Sequence, residues 1–125
     1  MYTLQILLGH NTMTATLKNT AASRDFIAQL PMTLELKDYA STEKVADLPQ
    51  KLSTQGAPDG YEPRVGDITY YAPWGNLAIF YRDFGYSRGL VNLGRIIEGT
   101  ENLNFRGAMS ATIEIVADES SIGNQ

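Results

Sequence analysis

A chain of 125 residues is one domain of ordinary size, long enough to bury roughly two-thirds of the surface its unfolded form exposes. Its 43% hydrophobic and 19% charged residues belong to a globular rather than a disordered protein. Ten Lys and Arg against fourteen Asp and Glu give a formal net charge of -4 with no basic run, which argues against a nucleic-acid or anionic-membrane partner, since either needs clustered cations.

The chain opens as a hairpin, with strands over residues 2–8 and 13–18 joined by Gly9-His10-Asn11-Thr12. Asn19 and Thr20 are suited to cap a short helix over residues 21–29, in which Ala22, Phe26 and Leu30 share one face and which Pro31 stops. So short a helix is not stable alone, which places it across a barrel opening or a sheet face. Residues 32–37 alternate apolar and polar, with Met32, Leu34 and Leu36 on one face of a third strand. Residues 39–47 carry a weaker signal, with a short strand around 44–48. Gly56, Pro58, Gly60 and Pro63 punctuate residues 49–65, which read as a long irregular loop and a candidate lid or rim.

Residues 66–99 hold the densest concentration of strand-forming side chains, in runs over 68–72, 77–82 and 90–97. Pro73-Trp74-Gly75-Asn76 supplies turn chemistry that pairs the first two as a hairpin. Residues 100–108 suit one helical turn anchored by Leu103 and Phe105. Residues 109–116 alternate again, with Met109, Ala111, Ile113 and Ile115 on one face of a last strand. The domain is expected to span residues 1–117, with a polar tail over 118–125. Closing roughly seven or eight antiparallel strands removes exposed edges. The expected fold is therefore mainly β, a closed antiparallel barrel of about eight strands with one clear α-helix and a second short helical turn.

Without cysteine there is neither a disulfide framework nor a thiolate metal site. No apolar run approaches the length of a membrane span, and the N-terminus lacks the pattern of a signal peptide. The expected location is the cytoplasm, or outside it in a form whose leader has been removed. His10 is the only histidine, and with no ligand or nucleophile partner in view it offers neither a metal site nor base catalysis. No cofactor motif of the phosphate-loop or dinucleotide type is present.

Trp74, Tyr70, Tyr71, Tyr61 and Tyr81 gather around one hairpin and the loop before it. Such a cluster suits recognition of a peptide or a sugar, though two or three of these rings are expected to serve the barrel core or plug. On the 77–82 strand, Ala78 and Phe80 share one face with Arg82, while Leu77, Ile79 and Tyr81 take the other. Both faces are apolar, so both should be covered, one by the barrel interior and one by a groove or loop. Arg64, Arg82, Arg88 and Arg95 are the nearest cations, suited to clamp an acidic ligand or, more plainly, to pair with surface acids.

The order of elements, together with Ala15-Thr16-Leu17, the Ser23-Arg24-Asp25-Phe26 helix, Leu30-Pro31-Met32-Thr33-Leu34, Gly66-Asp67-Ile68 and Leu93-Gly94-Arg95-Ile96, resembles the cyclophilin family, and in particular its short bacterial cyclophilin-like domains. The resemblance spans nearly the whole chain. It implies a closed eight-stranded barrel with a helix at one end. In true cyclophilins an arginine, within a Phe-His-Arg run on the strand after the first helix, lowers the barrier to peptidyl-proline rotation, and later strands add an Asn, a Gln-Phe-Phe segment, a Trp and a His. Here the matching strand reads Thr33-Leu34-Glu35-Leu36-Lys37, the histidine position falls on Leu90, the phenylalanine pair falls near Ala78-Ile79, and Trp74 lies in the turn before. Most of the catalytic signature is absent.

The expected role is binding of a small ligand or peptide segment in an outer groove lined by Tyr61, Tyr71, Trp74, Ile79, Arg82 and Leu90 and rimmed by the 49–65 loop. The enzyme alternative is a weak prolyl isomerase in which Arg82 replaces the missing arginine. A third reading makes the barrel an interaction module, a monomer or weak homodimer.

Overall fold

A computed structural model of the protein describes residues 1–118; the rest of the expected polar tail lies outside the described residues. The opening hairpin pairs β1 (Tyr2–Leu8) with β2 (Asn11–Leu17) in register from Tyr2 opposite Leu17 to Leu8 opposite Asn11. Its period-two pattern turns Leu4, Ile6, Leu8, Met13, Ala15 and Leu17 inward, each at most 1% exposed.

The helix α1 (Ala21–Ile27) starts at Thr20, whose side chain accepts the Ser23 N–H at 3.2 Å. That cap satisfies one of the backbone donors a helix start leaves free. Ala22 and Phe26 drop from it into the barrel core, and the Ser23 hydroxyl donates to the Leu93 carbonyl at 3.2 Å, tying the helix to the strand below. Burial of Phe26 alone is worth roughly 2–3 kcal/mol.

The remaining elements are β3 (Met32–Tyr39), β4 (Glu43–Asp47), β5 (Gly60–Tyr61), β6 (Asp67–Tyr71), β7 (Asn76–Phe80), β8 (Ser87–Arg88), β9 (Leu90–Glu98), a 3-10 turn (Thr100–Asn104) and β10 (Ala108–Asp118). Eight of the strands close a barrel in the order β1-β10-β3-β4-β7-β6-β9-β2, with every neighbouring pair antiparallel. Register shifts interrupt β1–β10, β2–β9 and β6–β9, irregularities of the kind that bend a twisted sheet round on itself. The last strand runs two residues beyond the expected 109–116, and Ile115 lies 41% exposed instead of sharing the inner face of Ala111 and Ile113. No helix among the described residues is long and apolar enough to cross a membrane.

The strands β5 and β8 are not part of the barrel. They pair only with each other, Gly60 with Arg88 and Tyr61 with Ser87. The 49–65 segment is therefore irregular except for this two-residue contact. It also reaches the core: Leu52 is buried, and its N–H donates to the Tyr70 hydroxyl at 3.2 Å.

On β4 the pleat sends Lys44 and Ala46 inward and Glu43, Val45 and Asp47 outward. Lys44 is 2% exposed. Its ammonium donates to the Phe105 carbonyl at 2.7 Å and to Asp38 at 3.2 Å, and it lies 4.0 Å from the Phe105 ring centroid and 4.9 Å from that of Tyr81. A charge enters the barrel here because a carboxylate, a carbonyl and two ring faces replace its water.

Candidate functional site

Partners directly opposite on neighbouring strands point to the same face, so the register arranges the outer surface of β3, β4, β7, β6 and β9 in rows. One row is Tyr39, Glu43 and Phe80. The next is Lys37, Val45, Ala78, Thr69 and Asn92. The third is Asp47, Asn76, Tyr71 and Leu90.

Although these residues stand outside the barrel, Ala78, Phe80 and Leu90 are at most 3% exposed, with Val45, Tyr61 and Tyr71 packed against them. They form a second, smaller core. Part of its cover is the β5–β8 ribbon, whose arms are joined by backbone hydrogen bonds from Gly89 N–H to the Asp59 carbonyl (2.8 Å) and Phe84 N–H to the Pro63 carbonyl (3.2 Å), and which is tied to the end of β6 by Ala72 N–H to the Gly89 carbonyl (2.9 Å). Gly89 has φ +85, and a β-carbon there would meet Pro73 at 2.8 Å. Glycine lets the ribbon turn back beside the β6–β7 turn. The Tyr61 hydroxyl and the Arg64 N–H both donate to Asp67 Oδ2, at 2.7 and 2.8 Å. Burial, reinforced by this bond to Asp67, pushes the Tyr61 phenol up to about 12.

Trp74, 65% exposed, leans from the β6–β7 turn toward β3. Its ring meets Tyr71 at 5.4 Å and 85° and Tyr39 at 6.0 Å and 82°, both edge-to-face arrangements favoured by the ring quadrupoles. Phe84, from the loop after β7, stacks obliquely on Phe80 at 6.4 Å. Between these walls lies a groove of about 720 Å³ whose lining includes Val45, Tyr71, Phe80 and Leu90 with Glu35, Lys37, Glu43, Asp47 and Arg88. That volume matches the usual range for small-ligand sites.

The polar groups of the groove are unequally satisfied. Lys37 pairs with Glu35 at 3.5 Å in a largely exposed contact. Glu43 has no ion-pair partner among the described residues, and burial raises its carboxyl from 4.5 to about 6. Asn76 is 6% exposed; its Nδ2 donates to the Leu77 carbonyl at 3.1 Å, and its Oδ1 is buried with no partner. Among the described residues, no three His, Cys, Asp or Glu side chains form a metal-holding group.

Of the residues the sequence singled out, Tyr71, Trp74 and Leu90 line this groove. Tyr61 belongs to the ribbon and lines a second concavity of about 630 Å³ beside the start of α1, which Leu90 also reaches. Two placements are corrected. Ile79 is fully buried inside the barrel, opposite Ile68 and Lys44, because the pleat puts it with Leu77 on the inner face, turns Ala78 and Phe80 to the outer core and gives the groove Phe80. Arg82 lies beyond the end of β7 at Phe80, exposed and lining neither concavity. The aromatic cluster divides as well. Tyr70 is a core residue, and the Tyr81 hydroxyl donates to Asp38 beside Lys44. Tyr39, Glu43, Asn76, Phe80 and Phe84 are groove residues that sequence reasoning did not select. The alternation of Glu43, Val45 and Asp47 against Lys44 and Ala46 was the available signal for the outer face of β4.

The sequence matches a family model described as the cyclophilin-like family over residues 6–114. The chain belongs to the cyclophilin-like family. Among solved structures, this cyclophilin-like barrel resembles the solution structure of the hypothetical protein AF2241 from Archaeoglobus fulgidus, with a TM-score of 0.63 and 15% identity over 90% of this chain and 93% of that one. At that identity the likeness establishes the fold alone. No curated protein matches the chain.

Proposed function

We propose that this cyclophilin-like barrel binds a small ligand or a peptide segment in the groove on its outer face. The observation that carries the reading is the apolar floor of Phe80 and Leu90, buried outside the barrel and joined by Val45 at the base of a concavity of about 720 Å³. An apolar floor under a partly exposed Trp, with charges confined to a few positions, is the usual composition of a ligand site. Amide and methyl NMR spectra recorded against a panel of small ligands and short peptides test it. Shifts concentrated at Tyr39, Val45, Trp74, Phe80 and Leu90 support the reading; shifts concentrated elsewhere, or none across the panel, overturn it.

A second reading, weak prolyl isomerisation, is favoured by Arg88, an arginine in the lining of this groove. A guanidinium beside a peptidyl-proline bond stabilises the rotated amide, in which conjugation is lost. Exchange NMR on an Ala-Pro peptide should then show faster interconversion that Arg88→Ala abolishes. No acceleration at high protein concentration rejects the enzyme reading and leaves the binding reading standing.

A further inference from the structure

We propose that the groove takes a cationic nitrogen, an ammonium or guanidinium on an apolar stem, seated beside Asp47, Trp74 and Asn76 at one end of the groove, with Glu43 at the other end adding negative charge. This rests on the groove-binding reading and names the ligand chemistry.

The argument begins with Asn76. Its side chain is more than nine-tenths buried, it occupies the same outer row as Asp47 and Tyr71, and its Nδ2 is already engaged by the Leu77 carbonyl. What remains is an Oδ1 acceptor without a donor. Buried acceptors are rarely left unpaired, because the lost bond to water is not replaced. The missing partner is therefore a donor.

Glu43 makes the same demand at the other end of the groove. Its carboxylate stands in a row between Tyr39 and Phe80, so aromatic rings flank it where water or a cation would otherwise stand. Neither Lys37 nor Arg88 forms an ion pair with Glu43 or Asp47. Burial acts on Glu43 with no compensating charge, and an entering cation would supply that charge.

The aromatic wall fits the same occupant. Trp74 stands edge-to-face with both Tyr71 and Tyr39, at 85° and 82°, and at 65% exposed it keeps ring surface open beside the groove. The negative ring faces attract cations, tryptophan most strongly. The apolar floor of Val45, Phe80 and Leu90 accepts an alkyl stem. Acceptors, carboxylates and π faces thus converge on one charge type.

Trp74 is the only tryptophan of the chain, so its emission reports on the groove. Three matched probes are titrated: N-acetyl-lysine methylamide, its uncharged counterpart N-acetyl-norleucine methylamide, and the anionic N-acetyl-glutamate methylamide. The lysine probe should bind roughly tenfold or more tightly than the norleucine probe. That preference should shrink in added salt and in Asp47→Asn, with Glu43→Gln as the second variant and circular dichroism as the check on folding. Equal affinity for lysine and norleucine probes overturns the cation proposal while leaving the groove reading intact. Tighter binding of the glutamate probe also overturns it and makes Arg88 the dominant charge. Emission unmoved by every probe overturns both readings. Adding cadaverine and a short lysine peptide separates a free amine from a basic peptide as the source of the nitrogen.

Discussion

Gly94 on β9 lies so close to Thr16 on β2 that a β-carbon built on it would stand 1.9 Å from the Thr16 carbonyl oxygen. It would also lie 2.7 Å from the Leu17 Cα, so the obstruction is backbone and no rotamer change relieves it. The contact sits on the β2–β9 seam, one of the ladders that close the barrel. Gly94→Ala is expected to cost about 3 kcal/mol or more, read as a fall in the urea midpoint or a failure to fold. Gly85→Ala, with nothing within 4 Å, serves as the control and should stay within about 0.5 kcal/mol.

The stability of the protein should fall with rising pH on account of Glu43. Its carboxyl is raised from 4.5 to about 6 by burial, so the folded state holds this proton more tightly than the unfolded chain. The contribution is fully present below about 4.5 and is lost as pH rises through about 6. Glu43→Gln should therefore match the parent near the lower value and exceed it by about 1 kcal/mol above the higher one, after allowance for solvent screening. The groove charges Glu35, Lys37, Asp47 and Arg88 are unchanged in both proteins. Denaturation followed across this window decides the matter, and a constant difference would refute it.

Asp38 behaves in the opposite sense. The Tyr81 hydroxyl, opposed by desolvation and aided by Lys44 and the Ser41 N–H, holds its carboxyl below the usual value. Its contribution is present above the unfolded value and is lost as pH falls through the folded one. Tyr81→Phe should move Asp38 upward in a carboxyl-detected NMR titration while Lys44 stays in place.

Lys44→Met keeps the stem and removes the ammonium, leaving the Phe105 carbonyl without its 2.7 Å donor. An orphaned acceptor costs about 1–3 kcal/mol. Lys44→Ala, which also leaves a cavity inside the barrel, should cost more, about 3 kcal/mol. Equal costs from chemical denaturation would show that the stem contributes nothing.

Trp74 and Phe80 should separate binding from folding. Trp74 is 65% exposed, so Trp74→Ala should change stability by no more than about 0.5 kcal/mol yet abolish groove binding in the NMR assay. Phe80, at 2% exposed, is part of the outer core, and Phe80→Ala should cost about 3 kcal/mol and remove binding as well.

The barrel was legible because its strands alternate: β1 runs over the residues its pattern marks, and the apolar runs of the 66–99 stretch become β6, β7 and β9. The groove was less so, for a physical reason visible on β7. All five of its residues are buried, because the outer face carries a core of its own, and a strand covered on both sides gives no alternation by which to choose a face. A shift of one residue then exchanges Phe80 for Ile79. Tyr39 and Glu43 escaped notice because the turn between them places Ala40 and Ser41 at φ 55 and 54, a conformation usually left to Gly or Asn, so the sequence carries no mark of a hairpin there. Lys44 reads as a surface residue until its distant partner Phe105 is known.

The β5–β8 ribbon shares no ladder with the barrel. The two parts of the molecule therefore answer to different constraints. The shell must keep its registers and its seam at Gly94, whereas the strap can lengthen, shorten or exchange side chains at little cost to closure. Redesign of selectivity could begin there, by exchanging the two ribbon arms over residues 60–65 and 82–88, inside the Asp59 and Gly89 anchors, while β6 and β7 between the arms and the rest of the vessel are left as they are.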